Sequence, residues 1–141
     1  MSNPKIVAPE DDAPILRLVG DDYRVRISGD ESNGRSFVFE AVIPPDMGPP
    51  PHIQTREEEA FYILEGEITF SIGSEARRVS AGSFVHVPRG VVHSFKNETS
   101  EPAKVLIWFS PAGIEKMFER LAESFDNFIE VGEEYGVKYL A

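Results

Sequence analysis

The stretch that decides the fold runs from Gly48 to Gly66 and reads GPPPHIQTREEEAFYILEG. Its three consecutive prolines fix the backbone φ angle and disfavour a helix, so they predict an extended approach to His52. His52 and Gln54 are two residues apart, and alternate side chains of an extended segment point the same way. We therefore expect both side chains to face one site.

The second half of this stretch predicts a strand that carries one buried acid. The segment from Glu59 to Glu65 is rich in strand-forming residues, and alternation places Glu59 on the same face as Phe61 and Ile63. Glu58 points to the opposite face, as expected for an acidic run that is partly solvated. A carboxylate on an apolar face needs a partner, because burying an unpaired charge is very costly. A cation held jointly with imidazoles would be such a partner.

A downstream stretch from Gly82 to Asn97 supplies the second half of the predicted site and reads GSFVHVPRGVVHSFKN. Pro88 and Gly90 predict a tight turn, and His93 begins the strand that follows it. Imidazoles combined with a carboxylate are common ligands of divalent first-row metals. His86 lies outside this arrangement, and we interpret it as a packing or surface residue.

Together, the two stretches resemble the two motifs of the cupin family of small β-barrels, over roughly residues 36–110. The second family motif is a glycine, five residues, a proline, one residue, a glycine, two residues, a histidine, three residues and an asparagine. This chain matches it at every fixed position: Gly82, Pro88, Gly90, His93 and Asn97. The resemblance implies an antiparallel double-stranded β-helix, the cupin jelly-roll barrel.

The first family motif is matched with two departures. His52, Glu59 and Gly66 stand at its fixed positions, whereas Gly48 lies closer to His52 than the family spacing has it. Gln54 replaces the second histidine of the family's His-x-His pair.

By resemblance, the metal ligands are His52, Glu59 and His93, with Gln54 in the remaining ligand position. The implied cofactor is a divalent Fe, Mn, Ni or Zn ion. Two histidines and one carboxylate could form the open site of non-haem iron oxygenases. Alternatively, Gln54 hydrogen-bonds a metal-bound water, or the metal is weak or absent and the imidazoles hydrogen-bond each other and Glu59.

The rest of the chain predicts an all-β protein with short C-terminal helices. Strands recur at short spacing with turn signals between them, and no strand–helix alternation suggests a parallel sheet. From Gly113 the apolar spacing becomes helical, with Asp126 as the N-cap of a second helix and Gly136 just beyond its end. The predicted strands are Ile15–Val19, Tyr23–Ile27, Ser36–Ile43, Glu59–Glu65, Glu67–Ile72, Arg77–Val79, Phe84–Val87, Val92–Asn97 and Val105–Ser110, with a terminal strand or docked tail at Val137–Leu140.

Length and charge narrow the class of protein. The 141 residues predict one cupin domain over 1–141, with an N-terminal arm at 1–14, the barrel at 15–110 and a helical segment and tail at 113–141. No cysteine is present, which excludes disulfides and thiolate sites. The net charge of −10 disfavours nucleic-acid and anionic-membrane binding. Without a signal peptide or membrane-length apolar run, we predict a cytoplasmic protein.

The resemblance is strongest to single-domain cupins likened to quercetin dioxygenases. It implies a metal-dependent dioxygenase acting on a small organic molecule, with Glu59 doubling as a general base, and assembly as a homodimer. The alternatives are a metal-dependent isomerase or lyase and a non-catalytic module that binds a small ligand. Tyr23 and Arg35 are candidate substrate contacts, and the residues expected in the core and pocket wall are Phe61, Tyr62, Phe70, Phe95 and Trp108.

Overall fold

The structure, a computed structural model, describes residues 3–18 and 21–140. Within these ranges the chain forms strands interrupted by short turns, followed by two helices and a terminal strand. In chain order the elements are β1 (Ile15–Leu18), β2 (Asp21–Ile27), β3 (Phe37–Ile43), β4 (His52–Gln54), β5 (Glu58–Glu65), β6 (Glu67–Ile72), β7 (Glu75–Ser80), β8 (Phe84–Val87), β9 (His93–Lys96), β10 (Ala103–Ser110), α1 (Glu115–Glu123), α2 (Phe128–Glu134) and β11 (Val137–Tyr139).

Antiparallel pairing arranges these strands into two sheets. A six-stranded sheet has the order β1-β2-β3-β10-β5-β8, and a five-stranded sheet has the order β11-β4-β9-β6-β7. Some neighbours are consecutive strands, such as β6 and β7, whereas others come from distant parts of the chain, as in the pairing of β10 with both β3 and β5. This arrangement confirms the predicted jelly-roll barrel.

The core lies between the two sheets and follows the alternation of the strands. In β3 every second residue is buried, beginning at Phe37 and ending at Ile43, as the sequence predicted. In β10 the buried set begins at Ala103 and ends at Phe109. Because each strand buries one face, a shift of register by one residue would place this entire set in solvent.

Two aromatic residues depart from the expected core. Tyr62 is 43% exposed and Trp108 is 49% exposed, whereas Phe61 and Phe70 are buried and Phe95 is partly buried. The assignment of Tyr62 and Trp108 to the core or pocket wall was wrong because both side chains point outward from their strands. Alternation gives the inward positions to their neighbours Phe61 and Phe109.

The C-terminal segment forms two helices and a strand that docks on the barrel. The terminal segment is a strand, β11, and it pairs with β4, the strand that begins with His52. The N-cap of α2 is Asn127, in the left-handed region at φ 60°, and the prediction of Asp126 was therefore wrong. Asparagine tolerates this conformation better than most residues. Gly136 follows the helix at φ 81°, as predicted.

Element boundaries otherwise shift by a few residues. β7 is longer than predicted, and β9 and β10 begin or end within a few residues of the expected bounds. Val19, the predicted end of the first strand, lies outside the described residues. Neither α1 nor α2 has the length and apolar character needed to cross a bilayer.

Candidate metal centre

The two motif histidines are cross-strand neighbours in the five-stranded sheet. His52 opens β4 and His93 opens β9, and the two residues are paired in the antiparallel register. Their ring centroids lie 4.2 Å apart at an interplanar angle of 52°. Both side chains point into the barrel and are buried. The strand pairing thus brings together two imidazoles that are far apart in sequence.

The carboxylate arrives from the opposite sheet. Glu59 lies on β5, between Val87 of β8 and Phe109 of β10, and it is buried with the inward residues of that strand. Its Oε1 lies 3.1 Å from Nε2 of His93. One ligating atom each from His52, Glu59 and His93 can be chosen so that all lie within 4.8 Å of one another. A single cation could therefore contact all three.

Backbone carbonyls orient both imidazole rings. Nδ1 of His52 lies 2.9 Å from the Pro50 carbonyl, and Nδ1 of His93 lies 2.9 Å from the Val91 carbonyl. A carbonyl only accepts, so each Nδ1 carries a proton and donates it. Each Nε2 then faces the interior, where that of His52 presents its lone pair and that of His93 lies against Glu59. Metal-binding histidines are commonly held in this way, which fixes both the tautomer and the ring orientation.

The electrostatics of the cluster favour a cation between Glu59 and His93. Burial raises the pKa of Glu59, and the His93 imidazole only partly opposes this. Burial by itself would lower the pKa of His93, but the Glu59 carboxylate outweighs it and raises that pKa. The pair therefore holds a proton tightly in the gap between Oε1 and Nε2. A metal ion would supply positive charge at the same place.

His52 remains a neutral imidazole at physiological pH. Burial lowers its pKa to about 4, and the nearby His93 acts in the same direction. Neutral imidazole is the metal-binding form, because a protonated Nε2 has no lone pair to donate. His52 is thus available as a ligand without first losing a proton.

Gln54 takes the inward position that the family's second histidine would occupy. It is buried on β4, and its Oε1 has no hydrogen-bond partner among the described residues. Buried amide oxygens are almost always hydrogen-bonded, so an unpartnered one indicates a missing partner. A cation or a water on that cation would satisfy it.

Glu57 is an inward acid that the sequence analysis overlooked. It is only 4% exposed, and burial raises its pKa to about 7, while the nearby Gln54 amide lowers it slightly. The acidic run was interpreted as partly solvated, yet Glu57 and Glu59 have the same parity and share the inward side. Alternation counted back from Glu59 would have identified it, whereas Glu58 is exposed as predicted.

Motif residues without metal-binding atoms shape the loops around the site. A Cβ on Gly48 would collide with the Phe95 carbonyl, so glycine lets the proline loop lie against β9. Asn97 is fully buried and donates to the carbonyls of Ile43 and Glu101, at 3.0 and 2.7 Å. The turn at Pro88 and Gly90 has the predicted form, with Gly90 at φ 82°.

Comparison with known proteins agrees with this architecture. The family model described as a cupin domain matches residues 39–109, which is half of the chain. The chain is a cupin.

The relatives of this cupin include proteins with an assigned activity. Quercetin 2,3-dioxygenase of Bacillus subtilis is 26% identical over 113 residues, 79% of this chain and 33% of that protein. An uncharacterized protein of Streptomyces coelicolor is 39% identical over 61 residues, 43% of this chain and 54% of that protein. The cupin described here thus spans about a third to a half of the length of these relatives.

A solved structure supports the fold. A predicted oxalate decarboxylase from Thermotoga maritima superposes with a TM-score of 0.69 at 18% sequence identity, covering 75% of this chain and 99% of that one.

The cluster of His52, Glu59 and His93 borders a small cavity, which we call the inner chamber. The chamber has a volume of about 70 Å³ and is lined by His52, Gln54 and Glu59 and by apolar side chains of the barrel. The C-terminal segment closes it through Met117, Phe118 and Tyr139. Tyr23, one of two candidate substrate contacts, lines this chamber, whereas Arg35 is exposed in the turn before β3.

The residues present fit a divalent metal ion. Two oriented Nε2 atoms and a buried carboxylate form a nitrogen and oxygen donor set that suits Fe, Mn, Ni or Zn. The unpartnered Gln54 oxygen adds a neutral donor on the same side. His86 does not belong to this set, because it is exposed and lies 3.5 Å from Glu58 on the outer surface.

Proposed function

We propose that this cupin binds a divalent metal ion through His52, Glu59 and His93 and acts as a dioxygenase on a small organic molecule. The observation that carries the proposal is the convergence of three ligating atoms within 4.8 Å inside an apolar barrel. The similarity to a quercetin 2,3-dioxygenase over 79% of the chain supports the choice of reaction. In a dioxygenase that cleaves a carbon–carbon bond of its substrate, both atoms of O₂ enter the products and the substrate supplies all four electrons, so no external reductant is required.

The metal would supply Lewis acidity and, for iron or manganese, redox activity. The chain would supply an ordered set of donors, because the carbonyls of Pro50 and Val91 hold the two imidazole rings in place. Such preorganisation means that the rings need not reorient when a cation or substrate enters.

Glu59 is the proposed general base. A carboxylate uses one oxygen as a ligand and retains a second that can accept a proton from an enol or phenol hydroxyl. Burial raises the pKa of Glu59 in the metal-free protein, whereas a bound cation would lower it, so the free oxygen would act as a base through its position beside the substrate. Apolar neighbours such as Ile107 and Phe109 keep bulk water away from this proton transfer.

The test is to purify the protein with iron, manganese or nickel supplied, and to measure bound metal and O₂ uptake with flavonols and 1,3-diketones. We expect about one metal ion per chain and substrate-dependent O₂ uptake. Turnover under nitrogen would instead indicate an isomerase or lyase. Ligand stabilisation without metal or turnover would indicate a binding module. Neither metal nor uptake would remove the proposal.

We also propose that a second copy of the chain covers the outer face of the six-stranded sheet. Tyr62 pairs with Phe84 on this face, and Trp108 lies opposite Ala60, diagonally from Tyr62, so exposed apolar side chains extend across three neighbouring strands. Exposed patches of this kind mark interaction sites. The border carries both charge signs, including Glu40 near Lys104, which permits self-association by a two-fold axis.

Light scattering after gel filtration tests the dimer. We expect twice the 15.7 kDa mass of the chain, and dissociation of the double variant Phe84→Ser/Trp108→Ser to a monomer. A parent protein that is monomeric at about 100 μM would contradict the proposal.

A further inference from the structure

A second cavity adjoins the inner chamber on the side of the helices, and we call it the outer chamber. It has a volume of about 260 Å³ and lies between the start of β2, the proline-rich loop and both helices. Side chains that characterise its lining are Leu18, Asp21, Met47, Leu121, Phe125 and Phe128. We propose that the outer chamber binds an aromatic group of bicyclic size that carries an N–H or O–H donor and no negative charge.

The size of the chamber sets the size of the group. An apolar cavity of about 150 Å³ binds benzene in another protein. A cavity of about 260 Å³ therefore has room for two fused rings. The inner chamber, at about 70 Å³, is too small for such a group. The cavity that can hold the ligand is thus separate from the cavity that borders the candidate metal ligands.

The lining favours an aromatic ligand. Phe118, Phe125 and Phe128 offer ring faces and edges, and Phe125 stacks on Phe128 at 5.1 Å between centroids. Aromatic pairs contribute attraction beyond the area they bury. Met47 and Met117 add flexible, polarisable side chains that adapt to irregular ligands. Phe125 is half exposed, so the chamber opens to solvent beside it.

Asp21 supplies the specific polar contact. Its Oδ1 is buried and has no hydrogen-bond partner among the described residues, although its carboxylate lines the chamber. An N–H or O–H group on a ligand would satisfy this oxygen. Asp22 lies next to it in the chain, and the protein carries a net charge of −10, so an anionic ligand would be repelled.

The two chambers share walls, which connects this site to the chemistry. Tyr23, Met117 and Phe118 line both cavities, so a ring bound in the outer chamber would lie one residue layer from the chamber that borders His52 and Glu59. A substrate seated in the outer chamber would reach the cluster past the flexible Met117. The inference rests on the proposed function for this role, since it names the apolar part of the substrate.

Indole and 1-methylindole are matched probes, because only indole has an N–H donor. Calorimetric titration of the protein in EDTA at pH 7.5 keeps the test independent of any metal. We expect indole to bind with a dissociation constant of about 1 mM or below, within the range for a ligand of this size. We expect 1-methylindole to bind about fivefold or more weakly, and Asp21→Ala to remove that difference.

Leu121→Trp fills the chamber and should abolish indole binding, while Ile129→Trp, at an exposed position on α2 outside the lining, should not. If Leu121→Trp fails to fold, the Asp21→Ala result alone locates the ligand. No heat with indole up to about 5 mM, equal affinity for the two probes, or an unaltered Asp21→Ala variant would each overturn the inference.

Failure of the proposed function gives a different pattern of results. Indole binding without metal binding or O₂ uptake would support the outer chamber as a binding site and contradict the proposed dioxygenase activity. Metal binding and O₂ uptake without indole binding would do the reverse.

Discussion

The inner and outer chambers differ in what they offer a ligand. The inner chamber has a volume of about 70 Å³ and is lined by His52 and Glu59 of the cluster, whereas the outer one has about 260 Å³ and mostly apolar walls. Their shared wall includes Tyr23 and Phe118. The difference teaches that the residues able to bind a metal and the space able to hold a ligand lie in separate parts of this barrel. A substitution can therefore alter one chamber and leave the other intact.

Removing a donor should damage the inner chamber alone. We expect His93→Ala to weaken Co(II) binding about a thousandfold, or ~4 kcal/mol, because one of three ligands is lost. Indole binding to the metal-free protein should be unchanged. The control is His86→Ala, since His86 is exposed and outside the cluster. Both quantities can be measured by titration calorimetry, and a His93→Ala variant that binds Co(II) like the parent would exclude the assigned ligand.

Removing the wall should join the chambers. Phe118 contacts the rings of Tyr23, Phe39 and Phe109, and Phe118→Ala would leave a cavity where it packs. We expect a loss of about 3 kcal/mol in the free energy of unfolding, measured with urea. Phe125→Ala is the control, because Phe125 is half exposed and should cost about 1 kcal/mol or less. Comparable losses of unfolding free energy in the two variants would mean that Phe118 is not a tightly packed part of the wall between the chambers.

Restoring the family histidine should strengthen the inner chamber. Gln54→His replaces a neutral amide oxygen with an imidazole, which is the better ligand for first-row metals. We expect Ni(II) affinity to rise about tenfold, or ~1.4 kcal/mol, while Gln54→Ala gives no gain. A Gln54→His variant with unchanged affinity and an unchanged Co(II) spectrum would show that position 54 does not coordinate the metal.

The smallest expected effect is a pH dependence from the outer chamber. Burial, reinforced by Asp22, raises the pKa of Asp21 from 3.8 to about 6. The folded state therefore binds this proton more tightly than the unfolded state, and stability falls as pH rises from about 4 through 6. Asp21→Asn should be more stable than the parent above pH 6, by about 1 kcal/mol after allowance for partial exposure, and equal below pH 4.

Thermal unfolding across pH 4–8 measures this difference. Asp12→Asn, at an exposed position in the N-terminal arm, is the matched control and should follow the parent at every pH. A constant offset between Asp21→Asn and the parent across this range would contradict the burial of that carboxylate.

Alternation along the strands was the part of the sequence that predicted structure best. It placed Glu59 inward and Glu58 outward, and it gave the buried face of β3 from Phe37 to Ile43. The same rule was not extended to Glu57, which was overlooked, and it did not decide the assignment of Tyr62 and Trp108 to the core or pocket wall, which was wrong. Composition suggested a solvated acidic run and buried aromatics, but strand parity decides burial in a barrel.

Residue types that mark helix ends predicted structure less well than strand alternation did. Asp126 and Asn127 are both good N-cap types, and nothing in the sequence chose between them. The left-handed conformation at Asn127 arises from the tight connection between α1 and α2. Helix ends depend on such geometry, and residue type alone does not fix them.

The sequence by itself determined that His52, Glu59 and His93 face the interior of a barrel, because the resemblance to the two cupin motifs and the strand parity both assign them there. The outer chamber was decided only by tertiary structure. Leu18, Met47 and Phe128 belong to three unconnected segments, and no periodicity or motif relates them. A cavity is the space left between packed elements, so its volume depends on how those elements dock rather than on any one stretch of chain.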